Sequence, residues 1–397
     1  MTKLDGLIDS ILSDMVAFRR DLHAHPEIGM EERRTSQRVI DRLSAAGNFS
    51  IQSGIAQTGV VALLNADRDG PCLALRADMD CLPMDEATGV PYASTIPGRM
   101  HACGHDGHTS CLLGTALVLS RMVDELPGKV KFIFQPGEEN DGGGRMMCEA
   151  GVLANPKVDA AFALHSWPAQ PVGTISMCPG AAMAGNDGFA IVVTGKGSHG
   201  AYPHLGIDPI VVAAHIVIAL QTIASRSIDP QDCVVVTAGV FHGGTVRNVI
   251  PATCRLEGTL RSYKPATRER LKELVRRIAE NTAESFGATA AVEFTEGYPV
   301  TVNEPALTEW VASVGREVLG ADRARTDDRP SMGAEDFGFF AQRVPAVMFR
   351  LGIRQPGAPS CPALHHPQFN FNDDALGVGI RMLCELTMRF LRDKPNL

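Results

Sequence analysis

The run Cys72-Leu73-Ala74-Leu75-Arg76-Ala77-Asp78-Met79-Asp80 passes from a short apolar stretch into a polar cluster. A brief apolar run bounded by polar residues reads as a buried strand. The pattern occurs twice more. Residues 130–134 lead into Gln135-Pro136-Gly137-Glu138-Glu139, and residues 160–164 into His165-Ser166-Trp167-Pro168. Helical segments separate the three runs, which predicts an α/β fold with parallel strands. In open α/β sheets, sites form outside the carboxyl ends of the strands. Three polar clusters in that position therefore mark one candidate site.

Outward from this core, residues 179–185 are a small-residue stretch that reads as a hinge or linker. Beyond it the pattern predicts a strand at 189–194 and a helix at 209–225. Strands at 233–241 and 252–261, a helix at 267–286 and a strand at 288–294 follow. The order β-α-β-β-α-β is ferredoxin-like. Helix and strand alternation then resumes, with a buried strand at 344–351. The expected architecture is an α/β domain built from residues 1–184 and 298–397, with an α+β domain inserted at 185–297.

Composition limits the function. The 397 residues carry 37 Lys plus Arg against 45 Asp plus Glu, a formal net charge of −8. That balance argues against a nucleic-acid partner, which favours a basic patch. Leu4, Leu7, Ile8, Ile11, Leu12, Met15 and Phe18 recur at helical spacing, so the first residues predict an amphipathic helix and no signal peptide. No window holds 18 consecutive apolar residues, and no membrane span is expected. The 10 cysteines lack tight paired spacing. In a chain of this length they read as reduced thiols in a cytoplasm.

The densest chemical signal is Met100-His101-Ala102-Cys103-Gly104-His105-Asp106-Gly107-His108. Imidazole and thiolate suit zinc, and carboxylate also admits manganese. Singly, each histidine reads as a structural residue, and Asp106 as a helix-entry acid; together they read as a metal cluster. Adjacent carboxylates at Glu138-Glu139 let one ligate a metal while the other moves protons. A solvated acidic pair is the plainer reading. His165 at a strand end and His365-His366-Pro367 complete enough ligands for two metals, and Asp78 is placed to orient a ligand histidine. Two further readings stay open. One makes Cys103 a nucleophile with a histidine base; the other is a non-catalytic metal- or peptide-binding protein on a hydrolase fold.

Eight stretches, in order, carry a family resemblance: Arg76 through Pro83, Met100 through Thr109, Phe134 through Glu139, Leu164 through Pro168, Gly197-Ser198-His199-Gly200-Ala201, Asn248-Val249-Ile250-Pro251, Ser331 through Phe337, and Leu364 through Pro367. On them the chain resembles the hippurate hydrolase type of metallo-aminoacylase, amidohydrolases related to the dinuclear carboxypeptidases. The resemblance implies a metallopeptidase-like catalytic domain with a lid and dimerisation domain inserted. It implies two divalent metal ions, zinc or manganese before cobalt or nickel, held by Cys103, His105, Glu139, His165 and His365. Glu138 would be the general base and Asp78 its supporting acid. His199 would stabilise the oxyanion, and Asn248 and Arg261 would hold the substrate's polar end. The substrate would be a small N-acyl amino acid, with short peptides as the alternative, and the assembly a homodimer. Cys81, Gly137 and Arg247 depart from the common pattern without removing a ligand; Arg247 bears on the acyl pocket.

Overall fold

The computed structural model describes residues 2–139, 141–326 and 329–395. In chain order the elements are α1 (Lys3–Ala24), α2 (Arg33–Ala46), β1 (Phe49–Ile55), β2 (Gly59–Leu64), β3 (Cys72–Asp78), α3 (His105–Ser120), β4 (Lys129–Gln135) and α4 (Gly143–Glu149). Then come β5 (Ala160–Pro171), β6 (Ile175–Met177), β7 (Gly180–Met183), β8 (Gly185–Thr194), β9 (Ser198–His199), α5 (Pro209–Thr222), β10 (Val234–Gly243), β11 (Val249–Ile250) and β12 (Thr253–Ser262). The remainder is α6 (Pro265–Ser285), β13 (Thr289–Glu296), β14 (Thr301–Asn303), α7 (Pro305–Leu319), β15 (Ala324–Thr326), α8 (Gly338–Ala341), β16 (Ala346–Arg354) and α9 (Asp374–Arg392). Two compact units result. The first takes the chain up to Ala182, Val302–Arg329 and the segment from Asp336 onward; the second is Met183–Thr301 with Pro330–Glu335.

The first unit is built on an eight-stranded sheet in the order β1-β2-β4-β3-β5-β16-β6-β15. The sheet is mixed where the sequence suggested parallel strands. β3 runs parallel to β4 and β5, and β5 to β16, but β1-β2 and β2-β4 are antiparallel. The difference is local: Thr58 precedes β2 by a tight turn after β1, and a short connection joins antiparallel strands only. α1 is set by Leu4, Ile8, Ile11, Met15, Phe18 and Leu22 on one buried face and by a capping box of Thr2 and Asp5. α3 packs against α1, α9 and β3 and is buried all round, its polar residues at the N-terminal turn included. Residues 180–183, expected as open linker, form the short strand β7.

In the second unit β8-α5-β10-β12-α6-β13 gives an antiparallel sheet in the order β10-β12-β8-β13. That is the ferredoxin-like arrangement. Its core joins Phe189, Ile191 and Val193 of β8 to Val212, Ile216 and Leu220 of α5 and Leu271, Leu274 and Val275 of α6. By length and composition residues 209–227 are apolar enough to cross a membrane. In this unit Val212, Ala213, Ile216 and Leu220 line the core, while Val211 and Ile218 are exposed. Pro330–Glu335, which the sequence placed with the larger domain, belongs here: the Ala184 amide donates to the Ser331 and Gly333 carbonyls, both at 3.0 Å.

Candidate active site

Because β3, β4 and β5 are parallel and in register, with Asp78 opposite Gln135, their carboxyl ends come out together. The loops after β3 and β4 deliver Asp80 and Glu138-Glu139 to one place, and His165 meets them from within β5, which continues to Pro171 where the sequence suggested a strand end. Cys103 and His105 arrive there at the N-terminus of α3. The chain turns through Gly104 at φ +90°, where a Cβ would lie 2.6 Å from the Ser166 hydroxyl oxygen. Only glycine permits that approach. The same hydroxyl donates to the Cys103 carbonyl at 2.9 Å, locking the turn to the middle of β5.

The ligand atoms of Cys103, His105 and His165 lie within 4.8 Å of one another, as do those of Cys103, Glu139 and His365 and those of His105, Glu138 and Glu139. Cys103 Sγ is 3.6 Å from His165 Nε2, and Glu139 Oε1 is 3.2 Å from His365 Nε2 and 3.9 Å from His105 Nε2. The tautomers follow from the partners of the other ring nitrogens. His165 Nδ1 donates to the Ser166 carbonyl at 2.9 Å. His105 Nδ1 donates to the Asp80 carbonyl at 3.0 Å and to its Oδ1 at 3.1 Å. Both Nε2 lone pairs therefore face inward. His105 Nε2 and Glu139 Oε1 are buried without a hydrogen-bond partner among the described residues. Buried polar atoms are seldom left so. An imidazole lone pair, a carboxylate oxygen and a thiol converging in this way are the donor set of a transition-metal site. The residues fit two divalent ions: Cys103 belongs to both the His105–His165 group and the Glu139–His365 group.

Burial, and then the Glu139 carboxylate, push the Cys103 thiol well above its usual range. Burial lowers His165 to about 4. Burial works to lower His105, but the Asp78 carboxylate, Cys103 and the bond to Asp80 together outweigh it and hold this imidazole well above its usual value.

Asp106 and His108 of the 101–108 cluster are engaged elsewhere. Asp106 is buried against Arg19 and His23, each at 2.8 Å. His108 donates from Nδ1 to Asp78 Oδ1 at 2.7 Å and accepts the Ser166 amide on Nε2 at 2.8 Å, so neither nitrogen is open to a metal. Asp78 is engaged by His108 and by Arg76 at 2.7 Å. The carboxylate that holds His105 is Asp80, which the sequence reading left without a role. Its second oxygen accepts the Glu139 amide at 3.0 Å. Alternation along residues 78–80 offers two equivalent aspartates, and nothing local separates them. Asp336 was also missed: it accepts from Arg76, Gln135 and the Gly144 amide, and its own amide lies 3.4 Å from Glu138 Oε1. His365, not His366, is the member of the histidine pair grouped with Glu139; His366 Nδ1 accepts the Gln368 amide at 3.1 Å.

In the second unit His199 and Asn248 are neighbours. His199 pairs in register with Val249, and the Gly200 amide donates to the Asn248 carbonyl at 2.8 Å. His199 Nδ1 accepts the Ala201 amide at 3.0 Å, which leaves Nε2 as an exposed donor. Arg261 lies on β12, its guanidinium donating to the Met332 carbonyl at 2.9 Å. It is not brought to the His199–Asn248 ribbon by any bond within the unit's described residues.

Residues 74–389 match the sequence pattern of peptidase family M20/M25/M40. The chain belongs to this family. M20 proteins of known description match it over nearly their full length. A Bacillus subtilis N-acetylcysteine deacetylase is 37% identical over 94% of this chain and 96% of its own. An Arabidopsis thaliana IAA-amino acid hydrolase is 37% identical over 95% of this chain and 86% of its own. A dinuclear metal-binding M20 peptidase from Bacillus subtilis superposes with a TM-score of 0.82 at 34% identity, covering 97% of this chain and 99% of that one. The protein is an M20 metallo-amidohydrolase with the mixed α/β domain and separate antiparallel sheet of that fold.

Proposed function

We propose that the protein cleaves the amide bond of small N-acyl amino acids, giving a carboxylate and a free amino acid. The observation that carries this reading is the convergence of Cys103, His105, His165, Glu139 and His365 beside the buried acid Glu138. When bound there, two divalent ions, of which zinc and manganese suit the set best, supply charge that polarises the scissile carbonyl and acidifies a water. Glu138, 5% exposed, takes the water's proton and returns it to the leaving amine. Asp80 keeps His105 in one tautomer and Glu139 in one position. His199, its Nε2–H directed outward, donates to the developing oxyanion, a contribution worth about 10²–10³ in rate. Asn248 and Arg261 hold the substrate's polar end.

An N-acetylcysteine deacetylase and an IAA-amino acid hydrolase among the relatives support an acyl amino acid as substrate. The test is a hydrolysis screen over acetyl, benzoyl and indole-acyl conjugates alongside dipeptides, read as free amino acid released. Cleavage of dipeptides alone would move the protein to the carboxypeptidase side. A stable acyl adduct on Cys103 would favour the nucleophile reading, and no turnover on any member would favour a binding role.

The same reading includes a homodimer formed through the inserted unit. β10 is a sheet edge with Val240 and Phe241 exposed, and Val211, Ile218 and Phe286 leave an apolar face on the helices. Edges and apolar patches of this kind are ordinarily covered. Ile218→Glu with Phe241→Glu should give a monomer by light scattering, and a wild-type protein already monomeric would refute it. The same reading takes the protein to work in a reducing cytoplasm, since oxidation of Cys103 would remove a ligand.

A further inference from the structure

The loop that carries Glu138 and Glu139 is held at its entry by a side chain from the other end of the sequence. Glu32 stands at the N-terminus of α2, before the residues matched to the family. Its carboxylate is buried. Oε1 accepts the Gly137 amide at 2.8 Å, and Oε2 accepts the Thr58 hydroxyl at 2.6 Å. Thr58 leads into β2, and Gly137 follows β4, its antiparallel neighbour. One carboxylate therefore ties the start of one strand to the turn leaving the next.

The segment around Glu32 is itself anchored. Glu27 accepts the Arg34 and Thr35 amides at 2.9 and 2.8 Å, capping α2, and its carbonyl accepts the Cys81 amide at 2.8 Å, beside Asp80. The Ser36 hydroxyl donates to the Thr58 carbonyl. Gly137 sits at φ +57°, and a Cβ there would come 2.7 Å from Met30 Cε, so this segment is packed directly on the turn. A turn in the left-handed region has few local restraints and must be set by its neighbours.

We infer that Glu32 is a positioning residue for the hydrolytic centre: its bond to the Gly137 amide fixes the turn from which Glu138 and Glu139 project. Asp80 restrains the same loop at the Glu139 amide, and Asp336 at the Gly144 amide. Glu32 and Asp80 thus hold the residues on either side of the proposed base. The inference rests on the metal-hydrolase reading above, and its test separates the two.

Burying a group of this size without the anchor is the useful perturbation. Glu32→Met keeps the volume and removes the acceptor; Glu32→Gln keeps an oxygen for the Gly137 amide and gives its NH₂ to Thr58. Outer partners of metal ligands commonly contribute about 10–100-fold in affinity or activity. Glu32→Met should therefore bind zinc roughly 10–100-fold more weakly, and at saturating zinc lose kcat by a similar factor with KM within about threefold. Glu32→Gln should stay within about threefold of wild type in both. Zinc titration is read independently of turnover, so an inactive wild type would defeat the functional reading and leave this one standing on the titration. Wild-type zinc affinity and kcat in Glu32→Met, or equal damage in Glu32→Gln, would overturn it. If Glu32→Met does not fold by circular dichroism, Thr58→Val decides: it frees the carboxylate from its second bond and should lower both quantities severalfold, and unchanged values refute the proposal.

Discussion

Asp80→Asn is the sharpest test of how the centre is held. Asp80 is fully buried and accepts two bonds, His105 Nδ1–H on one oxygen at 3.1 Å and the Glu139 amide on the other at 3.0 Å. An asparagine has one acceptor oxygen. Whichever donor it serves, its NH₂ is turned against the other, and a bond to a charged group becomes a donor–donor contact. Hydrogen bonds to charged groups are worth about 1.5–3 kcal/mol. At about 1.4 kcal/mol per tenfold, the loss is roughly 10- to 150-fold in kcat/KM. The tautomer of His105 should survive, because its Nδ1 also donates to the Asp80 carbonyl at 3.0 Å. The assay is release of free amino acid at saturating metal, with metal affinity measured on the same samples. A variant within about twofold of wild type in both would show that neither bond steers the ligands and would refute the reasoning.

Other outcomes follow from the same geometry. Glu138→Gln should keep both metals, measured by elemental analysis, and lose most of kcat, because the amide cannot accept the water's proton. Arg76 is buried between Asp78 at 2.7 Å, Asp336 at 2.8 Å and Gln135 at 2.8 Å. Arg76→Met should lower unfolding free energy in denaturant by about 3–5 kcal/mol, since it leaves two buried carboxylates without their cation. Burial, aided by the Asp80 charge, raises Glu32 from 4.5 to about 7. Between those values the folded protein holds a proton that the unfolded chain has released, so stability falls as pH rises through this window. Glu32→Gln escapes that loss, and its melting temperature relative to wild type should climb from pH 5 to pH 8.

The features legible in the sequence are those with a local signature. The buried runs at residues 72–75, 130–134 and 160–164 announced β3, β4 and β5, and their polar sequels marked the site because parallel strands end together. The ferredoxin-like order was readable from period alone. What the sequence hid is long-range. The cluster at 101–108 presents five candidate ligands, of which Cys103 and His105 meet the other ligands, while Asp106 is claimed by Arg19 and His108 by Asp78. Asp78 and Asp80 look alike in sequence and differ only in which histidine each meets. Asp336 and Glu32 act from 260 residues beyond Arg76 and 105 residues before Gly137. No periodicity reports such pairings.

The central claim is that a metal centre built on Cys103, His105, Glu139, His165 and His365 hydrolyses N-acyl amino acids with Glu138 as base. The direct measurement is amino-acid release from an N-acyl amino acid before chelation, after exhaustive chelation, and during stepwise return of zinc or manganese. The account predicts loss of turnover on chelation and recovery that saturates near two ions per chain. Full turnover in chelated, metal-free protein would contradict it.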